Sequence, residues 1–498
     1  MVLLLGQVAS TAILAVAQII IANLLGPDRL GDYTVVFVPI GVALLFQDLG
    51  VSVGLTSHIA RYHHVELEEE RKTILLAGLT FNIIVSLLVA SSVFLLSPLI
   101  ASDFLHRPDL ELLLRIASLS IFGQALFTTA NAIFVGHGRM ELQSLSTVIF
   151  AVIKGVLSPL LVIIGFSTLG AVLGHSVSYF LTGLIGLFII AALLRNWKGE
   201  VKVHLMLSEV GHLIRYGLPV YLSSLVSGGL NQVYNSLMVL YVVNTQIGNY
   251  SAALYFAVVV GFVTTSISIA VLPLFSRLRR DDPNLGLYYR DAVKYSSFFA
   301  LPIVGALIAL SDPITSVVYG GRFPISAFYL QVYMLTFVYI GFGNVVTGNI
   351  LNGQGETRIN LRCALISLLT GVPLALFLVP NYGMIGLILT LIVSPLPSVL
   401  YGLFWVKKNL FMGPDWSSGA KIFSSVFLST LLTLFFVGVQ SNLWVMLFGG
   451  ATIFLVLYLV MIRVLRVLDR SDYEFFRAIV GETGVLARLV NRIIDLID

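Results

Sequence analysis

The sequence predicts an all-α polytopic membrane protein with about fourteen transmembrane helices. Of its 498 residues 58% are hydrophobic and 11% are charged, against about 25% charged in soluble domains. The apolar residues form long runs, such as 2–25, 73–100 and 443–462, and each can cross a bilayer core of about 30 Å as a helix. Backbone amides in lipid must be paired within their own segment, which favours helices, and the runs lack the alternation of barrel strands.

Fourteen spans can be placed along the chain, with short turns between many of them. They cover residues 2–24, 33–57, 73–99, 113–136, 142–166, 168–194, 215–241, 250–275, 294–318, 325–350, 360–380, 383–407, 419–439 and 443–466. Glycine, proline and asparagine mark several turns, for example at 26–28, 136–138 and 380–383. These residues suit turns because they accept positive or fixed φ angles.

The basic residues predict the orientation of the chain. If the spans alternate, 24 of the 29 lysines and arginines lie on the side of the N-terminus and four lie on the other. The last one, Lys154, lies inside a span. The positive-inside rule then predicts a multi-pass protein of the cell membrane with both termini in the cytoplasm.

An internal repeat divides the first twelve spans into two halves. Gly31-Asp32-Tyr33 and Gly248-Asn249-Tyr250 each precede the second span of a half, at an offset of 217. The turns at 136–138 and 353–355 have the same offset. An offset that covers six spans predicts two parallel six-helix repeats, followed by a C-terminal helix pair. In transporters with such repeats the substrate path lies between the halves.

The repeat and the charges predict five segments. They are an N-terminal six-helix lobe at 1–194, a cytoplasmic linker at 195–214, a C-terminal six-helix lobe at 215–407, a two-helix hairpin at 408–466 and a cytoplasmic tail at 467–498. Apolar residues recur in the tail at helical spacing among arginines and acids. The tail is therefore predicted to lie as amphipathic helices on the inner leaflet, or to bind a soluble partner with the same face.

Lys154 is the first candidate site residue, because a charge inside a span is costly and often functional. It lies twelve residues from either end of its span, which is about 18 Å along a helix. Two interpretations stay open. The ammonium contacts the phosphate or diphosphate of a substrate, or it pairs with an acid of a neighbouring helix.

Five further residues are candidates for a polar cleft: Gln18, Asn235, Asn231, Arg61 and Asp48. Gln18 and Asn235 are again 217 positions apart, so the repeat predicts amides at the same height in spans 1 and 7. Asn231 lies one turn below Asn235 on the same helix face. Such amides can bind sugar hydroxyls or join helices.

The two charged candidates have structural alternatives. Asp48 can form an ion pair with Arg61 or Lys154, cap a broken helix near Gly50, or bind a proton. Arg61 can attract an anionic head group or simply lie at the interface. Asn131, His175 and Asn344 are weaker candidates, each more typical of packing.

Enzymatic chemistry is not indicated. The single cysteine, Cys363, excludes an intramolecular disulfide. No Walker motif, acidic pair or metal-ligand spacing is present in a suitable context. We therefore expect no catalytic residues, no metal and no cofactor, and the basic loops require no nucleic acid.

Several segments resemble one family. Residues 24–33, the Asp48-Leu49-Gly50 motif followed by Arg61, the Arg215-Tyr216-Gly217-Leu218-Pro219 motif and the 353–355 turn are similar to polysaccharide-export flippases. These belong to the multidrug/oligosaccharidyl-lipid/polysaccharide (MOP) exporter superfamily, and the likeness extends over residues 1 to about 410. It implies the MATE-like fold. Many members carry an acid where this chain has Asn235, which places an ion-coupling role there in doubt.

The resemblance implies a flippase that moves lipid-linked oligosaccharide or polysaccharide precursors from the cytoplasmic to the outer leaflet, with glycosyltransferases of the same pathway as candidate partners. The alternative is a cation-coupled multidrug exporter of the MATE type. That function needs an intramembrane acid, and span 1 offers Gln18 instead. A membrane-embedded glycosyltransferase is a third hypothesis. The longest outer connection, 102–112, is too short for a catalytic domain.

Overall fold

The computed structural model describes residues 2–62, 68–195, 201–469 and 472–473, and helices occupy most of them. The sixteen α-helices are α1 (Val2–Leu44), α2 (Val51–Tyr62), α3 (Glu68–Leu99), α4 (Glu111–Gly136), α5 (Met140–Leu161), α6 (Ser167–Leu194), α7 (Met206–Tyr241), α8 (Asn244–Arg277), α9 (Leu285–Ala309), α10 (Ser311–Tyr319), α11 (Ser326–Met334), α12 (Asn344–Gly353), α13 (Thr357–Val393), α14 (Leu396–Leu410), α15 (Trp416–Val439) and α16 (Gly450–Val464). Short π or 3-10 helical segments accompany them at Ile100–Phe104, Pro108–Leu110, Val162–Phe166, Val203–Leu205, Leu335–Phe342 and Val445–Gly449.

Nine helical stretches of the described residues are long and apolar enough to cross a membrane. Three of them, Leu5–Leu44, Met140–Leu194 and Thr357–Leu410, are 40, 55 and 54 residues long, and each holds parts of two predicted spans, which gives twelve. The bent pair Ser326–Phe342 and Asn344–Gly353 supplies one more. The 36-residue helix α7, which is not among the nine, supplies the last. The predicted count of fourteen spans is confirmed.

Glycines break the long stretches. The φ angle is 74° at Gly26, 109° at Gly165 and 57° at Gly383, values that L side chains rarely adopt. Beyond Gly383 the chain packs on itself, since a Cβ atom at Gly386 would lie 2.0 Å from the Leu378 carbonyl oxygen. In one continuous helix these residues would be about 12 Å apart. Residues 368–390 of this stretch therefore form a helical hairpin.

The chain divides into two compact units. Unit 1 comprises Met1–Tyr255 and Leu368–Thr390, and unit 2 comprises Phe256–Ser367 and Leu391–Asp498. The core of unit 1 contains Leu55 and Phe134, and that of unit 2 contains Tyr289; all three side chains are fully buried. In unit 1, α7 packs against α2 and α3. The five segments predicted from the sequence are defined by the repeat and the charges, whereas these two units are defined by compactness. The segment boundaries therefore stay a prediction.

Two hydrogen bonds within unit 1 join residues that the repeat relates. Thr245 donates to the Asp28 carboxylate, and the hydroxyls of Thr34 and Ser251 lie 2.9 Å apart; the partners in both pairs are 217 positions apart. Equivalent residues of a two-fold repeat can contact each other only close to its axis. These contacts therefore agree with a parallel repeat whose axis passes beside α1 and α8.

The C-terminal helix pair belongs to unit 2, where α15 packs on α9 and α16. Asp415 caps the first turn of α15 by accepting from the backbone N–H groups of Ser417 and Ser418. Partial burial would raise the pKa of the Asp415 carboxyl. Hydrogen bonds from the Ser418 hydroxyl and from both N–H groups outweigh this effect and hold the pKa below its usual value.

A buried ion pair joins α9 to the residues that follow α16. The Lys294 ammonium of α9 lies 2.5 Å from the Asp472 carboxylate, and the two side chains are 8% and 6% exposed. The Tyr295 hydroxyl donates to the other Asp472 oxygen at 2.8 Å. Except for its first residues, which include Asp472, the predicted amphipathic tail at 467–498 lies outside the described residues.

This pair generates a stability prediction. Asp472→Ala leaves the buried Lys294 ammonium without its closest partner, and breaking a buried pair in this way costs about 3–5 kcal/mol. We expect a clear fall in the midpoint of thermal unfolding of the detergent-solubilised protein. The control is the double variant Lys294→Met/Asp472→Leu, which removes both charges and should recover most of the loss. A single variant as stable as the parent contradicts the prediction.

Candidate functional site

A cavity of about 400 Å³ lies inside unit 1. Helices α1, α4, α5, α6, α7 and α8 contribute side chains to its wall. The wall carries amides, hydroxyls, aromatic rings and two basic groups; its polar and aromatic residues are Gln18, Tyr33, Thr34, Phe37, Ser120, Gln124, Lys154, His175, Tyr179, Gln232, Asn235, Ser251 and Tyr255. No carboxylate is among the described residues that line the cavity. The wall is therefore rich in hydrogen-bond donors and has a positive charge.

Lys154 enters the cavity from α5. Its side chain is buried, with 8% of the residue exposed, and its ammonium lies 5.9 Å from the centroid of the Phe150 ring. A cation over an aromatic face gains only about 0.5–2 kcal/mol, which is less than the cost of desolvating an ammonium. None of the described acids forms an ion pair with Lys154. The second interpretation of Lys154 was an ion pair with an acid of a neighbouring helix. No such acid is found among the described residues.

Two of the amide candidates, Gln18 and Asn235, also line the cavity. Gln18 extends from α1 and Asn235 from α7, and both line the same wall. That they lie at the same height in the two halves stays a prediction. Gln232 joins them from α7. Gly41 leaves room for it, because a Cβ atom there would lie 2.7 Å from the Gln232 amide nitrogen.

Aromatic rings pack around the imidazole of His175. The Phe37 ring lies 4.3 Å and the Tyr179 ring 5.2 Å from the imidazole, centroid to centroid. The Tyr33 hydroxyl lies 3.4 Å from its Nδ1 atom. Tyr33 is in turn hydrogen-bonded to the side chain of Gln18. His175 thus lies at the end of a polar chain that begins on α1.

The remaining candidates are not part of the cavity wall. Asn231 is exposed and donates to the Ser227 carbonyl within α7 at 3.3 Å. Arg61 is exposed at the end of α2. The structure therefore brings Gln18, Lys154 and Asn235 together and leaves Asn231, Arg61 and Asp48 elsewhere.

Asp48 stabilises a break in the second span. Span 2 is interrupted between α1 and α2, where φ is 48° at Leu49 and 85° at Gly50. Asp48 Oδ1 accepts from the backbone N–H and hydroxyl of Ser52 at 3.0 and 2.6 Å, and from the Asn82 amide at 3.2 Å. Of the alternatives left open by the sequence, this geometry corresponds to the cap of a broken helix.

The turns next to the cavity are tied together. The Asn244 amide donates to the Asp32 carboxylate, and Arg107 donates to the Asn244 side-chain oxygen. Arg107 also reaches the Val242 carbonyl at 3.4 Å. Because Asp32 adjoins Tyr33 in the chain, this network helps to fix the position of one wall residue.

Sequence reasoning undervalued the aromatic part of the site. The sequence marks His175 only as a weak candidate and does not mark Tyr33, Phe37 or Tyr179 as lining residues. Part of the signal was available, since His175 and Tyr179 are four positions apart and therefore share one face of a helix. Tyr33 also belongs to the repeated turn motif at 31–33.

Comparisons with known proteins show which family model and which relatives the chain matches. A family model described as polysaccharide biosynthesis protein matches residues 20–328. A putative O-antigen transporter of Shigella dysenteriae is 23% identical over 294 residues, which are 59% of this chain and 72% of the relative.

Solved structures give the fold. Lipid II flippase MurJ in an inward closed conformation aligns with a TM-score of 0.74 and 18% identity, over 96% of this chain and 100% of that one. An inward-facing multidrug resistance MATE family transporter of the MOP superfamily aligns with a TM-score of 0.63 and 19% identity, over 80% and 94%. The predicted MATE-like fold is confirmed. The named proteins are transporters or flippases rather than enzymes, in agreement with the expectation from the sequence.

The charge of the cavity can be measured with thiol reagents. In a Cys363→Ser background, Asn235→Cys should react faster with an anionic than with a cationic methanethiosulfonate. A cavity lined by one sign of charge raises the local concentration of counter-ions, here by roughly tenfold. Adding Lys154→Gln should abolish the preference.

The matched control is Val233→Cys on the same helix, whose side chain is exposed and is not among the cavity residues. It should show no dependence on Lys154. An equal rate for both reagents at position 235 would contradict a positively charged cavity.

Proposed function

Because the chain belongs to the polysaccharide biosynthesis protein family, we propose that it is a flippase for lipid-linked oligosaccharide or polysaccharide precursors. The observation that carries the proposal is the buried Lys154 ammonium, which has no acid partner among the described residues, in a cavity whose other polar groups are amides, hydroxyls and an imidazole. Lipid-linked glycans combine a phosphate or diphosphate with sugar hydroxyls. The wall offers a binding group for each part.

Substrate recognition follows from the physical properties of these groups. Lys154 contacts the phosphate as a point charge, and the amides of Gln18 and Asn235 bind sugar hydroxyls. A sugar that enters hydrocarbon loses its hydrogen bonds to water, at a cost of several kcal/mol for each unpaired group. The cavity replaces these bonds while the lipid tail stays in the bilayer. Transport then proceeds by alternating access of the two repeat halves.

We place the protein in the cell membrane with both termini in the cytoplasm. The support is the distribution of basic residues, 24 of 29 on the side of the N-terminus. An anionic head group that moves outward is then favoured by about 2.3 kcal/mol per charge per 100 mV of inside-negative potential. Glycosyltransferases of the same pathway would supply the substrate, and lipids of the membrane surround the protein.

The second candidate function is cation-coupled export of drugs, because exporters of the MATE family share this fold. Such an exporter needs a carboxylate that binds Na⁺ or H⁺ and attracts a cationic substrate. None is among the described residues that line the cavity, and Lys154 repels a cation there. The charge of the wall therefore favours the flippase.

The decisive variant is Lys154→Ala in proteoliposomes that contain a diphosphate-linked oligosaccharide lipid. Loss of a charge-assisted contact of about 1.5–3 kcal/mol should slow flipping by at least about tenfold. Arg139→Ala, which removes an exposed cation at the start of α5, is the control and should flip at the parental rate. Unchanged flipping by Lys154→Ala at normal protein levels would refute the phosphate contact. Efflux of cationic dyes coupled to an ion gradient would support the second candidate instead.

A complementary variant changes the charge of the wall without removing the lysine. Asn235→Asp is nearly isosteric and places a carboxylate in the same cavity as Lys154. We expect flipping to fall because the new carboxylate competes with the substrate phosphate for the ammonium. The control, Asn231→Asp, lies one turn away outside the wall and should be near neutral. Full activity of Asn235→Asp would show that the sign of the charge at this wall is unimportant.

A further inference from the structure

The hydrogen bonds around His175 fix its neutral form. The Gln18 carbonyl oxygen has no hydrogen-bond partner among the described residues, so the Gln18 amide nitrogen is the group that bonds the Tyr33 hydroxyl. An amide nitrogen can only donate. The Tyr33 oxygen therefore accepts from Gln18, and its proton is directed to His175 Nδ1, 3.4 Å away. A ring that accepts at Nδ1 carries its proton on Nε2, where it is a donor.

Besides His175, Lys154 is the only basic residue among the described residues of the wall, and a diphosphate diester carries two negative charges. Lys154 balances one of them. The remaining negative charge would be buried without a partner, which is strongly unfavourable. Among the described residues of the wall, the titratable groups that face His175 are Lys154, Tyr33, Tyr179 and Tyr255. None of them can supply a second positive charge, so His175 is the group that can.

We propose that His175 is a second anion-binding residue, which is neutral without an anion beside it and protonated when a diphosphate-linked lipid enters. This inference rests on the proposed function and specifies it, because the site then takes a diphosphate together with one proton. It also predicts a preference over a monophosphate diester, which Lys154 alone can balance.

The hydrogen-bond chain can accommodate this proton. The proton comes from water and binds to Nδ1 of His175, which then donates to the Tyr33 oxygen. The Tyr33 hydroxyl reverses and needs an acceptor. The unpartnered Gln18 carbonyl oxygen becomes that acceptor after a flip of the amide. No atom other than the one proton is gained, and Nε2–H still donates to the substrate.

Protonation of His175 depends on the bound anion, because the described wall offers no other negative charge to balance the imidazolium. No described carboxylate lines the cavity, and Lys154 repels a second positive charge. By linkage, a proton that binds with the ligand makes diphosphate affinity rise as pH falls, by up to tenfold per pH unit. The affinity for a monophosphate diester should change much less.

The test is calorimetric titration of the purified full chain with two probes. They are N-acetylglucosamine linked to farnesol through a diphosphate and through a monophosphate. Both are diesters whose phosphates do not titrate near neutral pH. Binding enthalpies in two buffers of different ionisation enthalpy give the number of protons taken up. We expect about one proton with the diphosphate probe and about none with the monophosphate probe.

His175→Gln and Lys154→Gln separate the two basic groups. His175→Gln keeps a neutral donor, so it should bind the diphosphate probe with little pH dependence and no proton uptake. Lys154→Gln should weaken binding of both probes and retain proton uptake. Equal proton uptake by His175→Gln and the parent would overturn the proposal, as would diphosphate binding by the parent without a proton. Failure of both probes to bind would overturn the flippase function as well. The comparison of the two probes on the parent requires no variant to fold.

Discussion

A buried ammonium that no described acid pairs with, that of Lys154, is the constraint on which the arrangement of unit 1 depends. Burying Lys154 is costly unless an opposite charge or a polar environment compensates for it. The structure provides amides, a ring face and a cavity but no carboxylate among the described residues of the wall. Compensation by the described residues is therefore incomplete, and in the proposed function the anion of the substrate completes it. The missing opposite charge beside Lys154 lowers the stability of the protein and at the same time favours binding of an anion. Such a combination is common at functional sites.

Glycine turns and the repeat determine where the binding groups lie. The break at Gly26 lets α1 contribute both Gln18 and Tyr33 to one cavity, although they are fifteen positions apart. The repeat supplies α7 and α8. Ser251 of α8 lies 2.9 Å from its counterpart Thr34, and Asn235 of α7 lines the same cavity as its counterpart Gln18. A helix as polar as α7 is unfavourable against lipid, and the cavity provides the polar surroundings that some of its amides require.

The sequence was informative about the fold because lipid allows few solutions. Long apolar runs must be helices, and the offset of 217 between matching turns defined the repeat. Lys154, Gln18 and Asn235 were predictable because polarity inside a span is conspicuous. Tyr33, Phe37 and Tyr179 were not, since aromatic residues of this chain occur at both exposed and buried positions of the helices. The role of Asp48 also depended on geometry, because one carboxylate can cap, pair or titrate, and only the Ser52 and Asn82 contacts distinguish these roles.

The sign of the wall charge decides between functions that the fold leaves open. Flippases and multidrug exporters share this architecture, so the fold alone is compatible with both. Asp48 is the only acid among the six candidate site residues. Its Oδ1 accepts three hydrogen bonds at a helix break, and Asp48 is not among the wall residues. It therefore cannot neutralise Lys154 from within the cavity. What remains is a donor-rich, positively charged site, and the ligand with matching chemistry is an anion that carries hydroxyl groups.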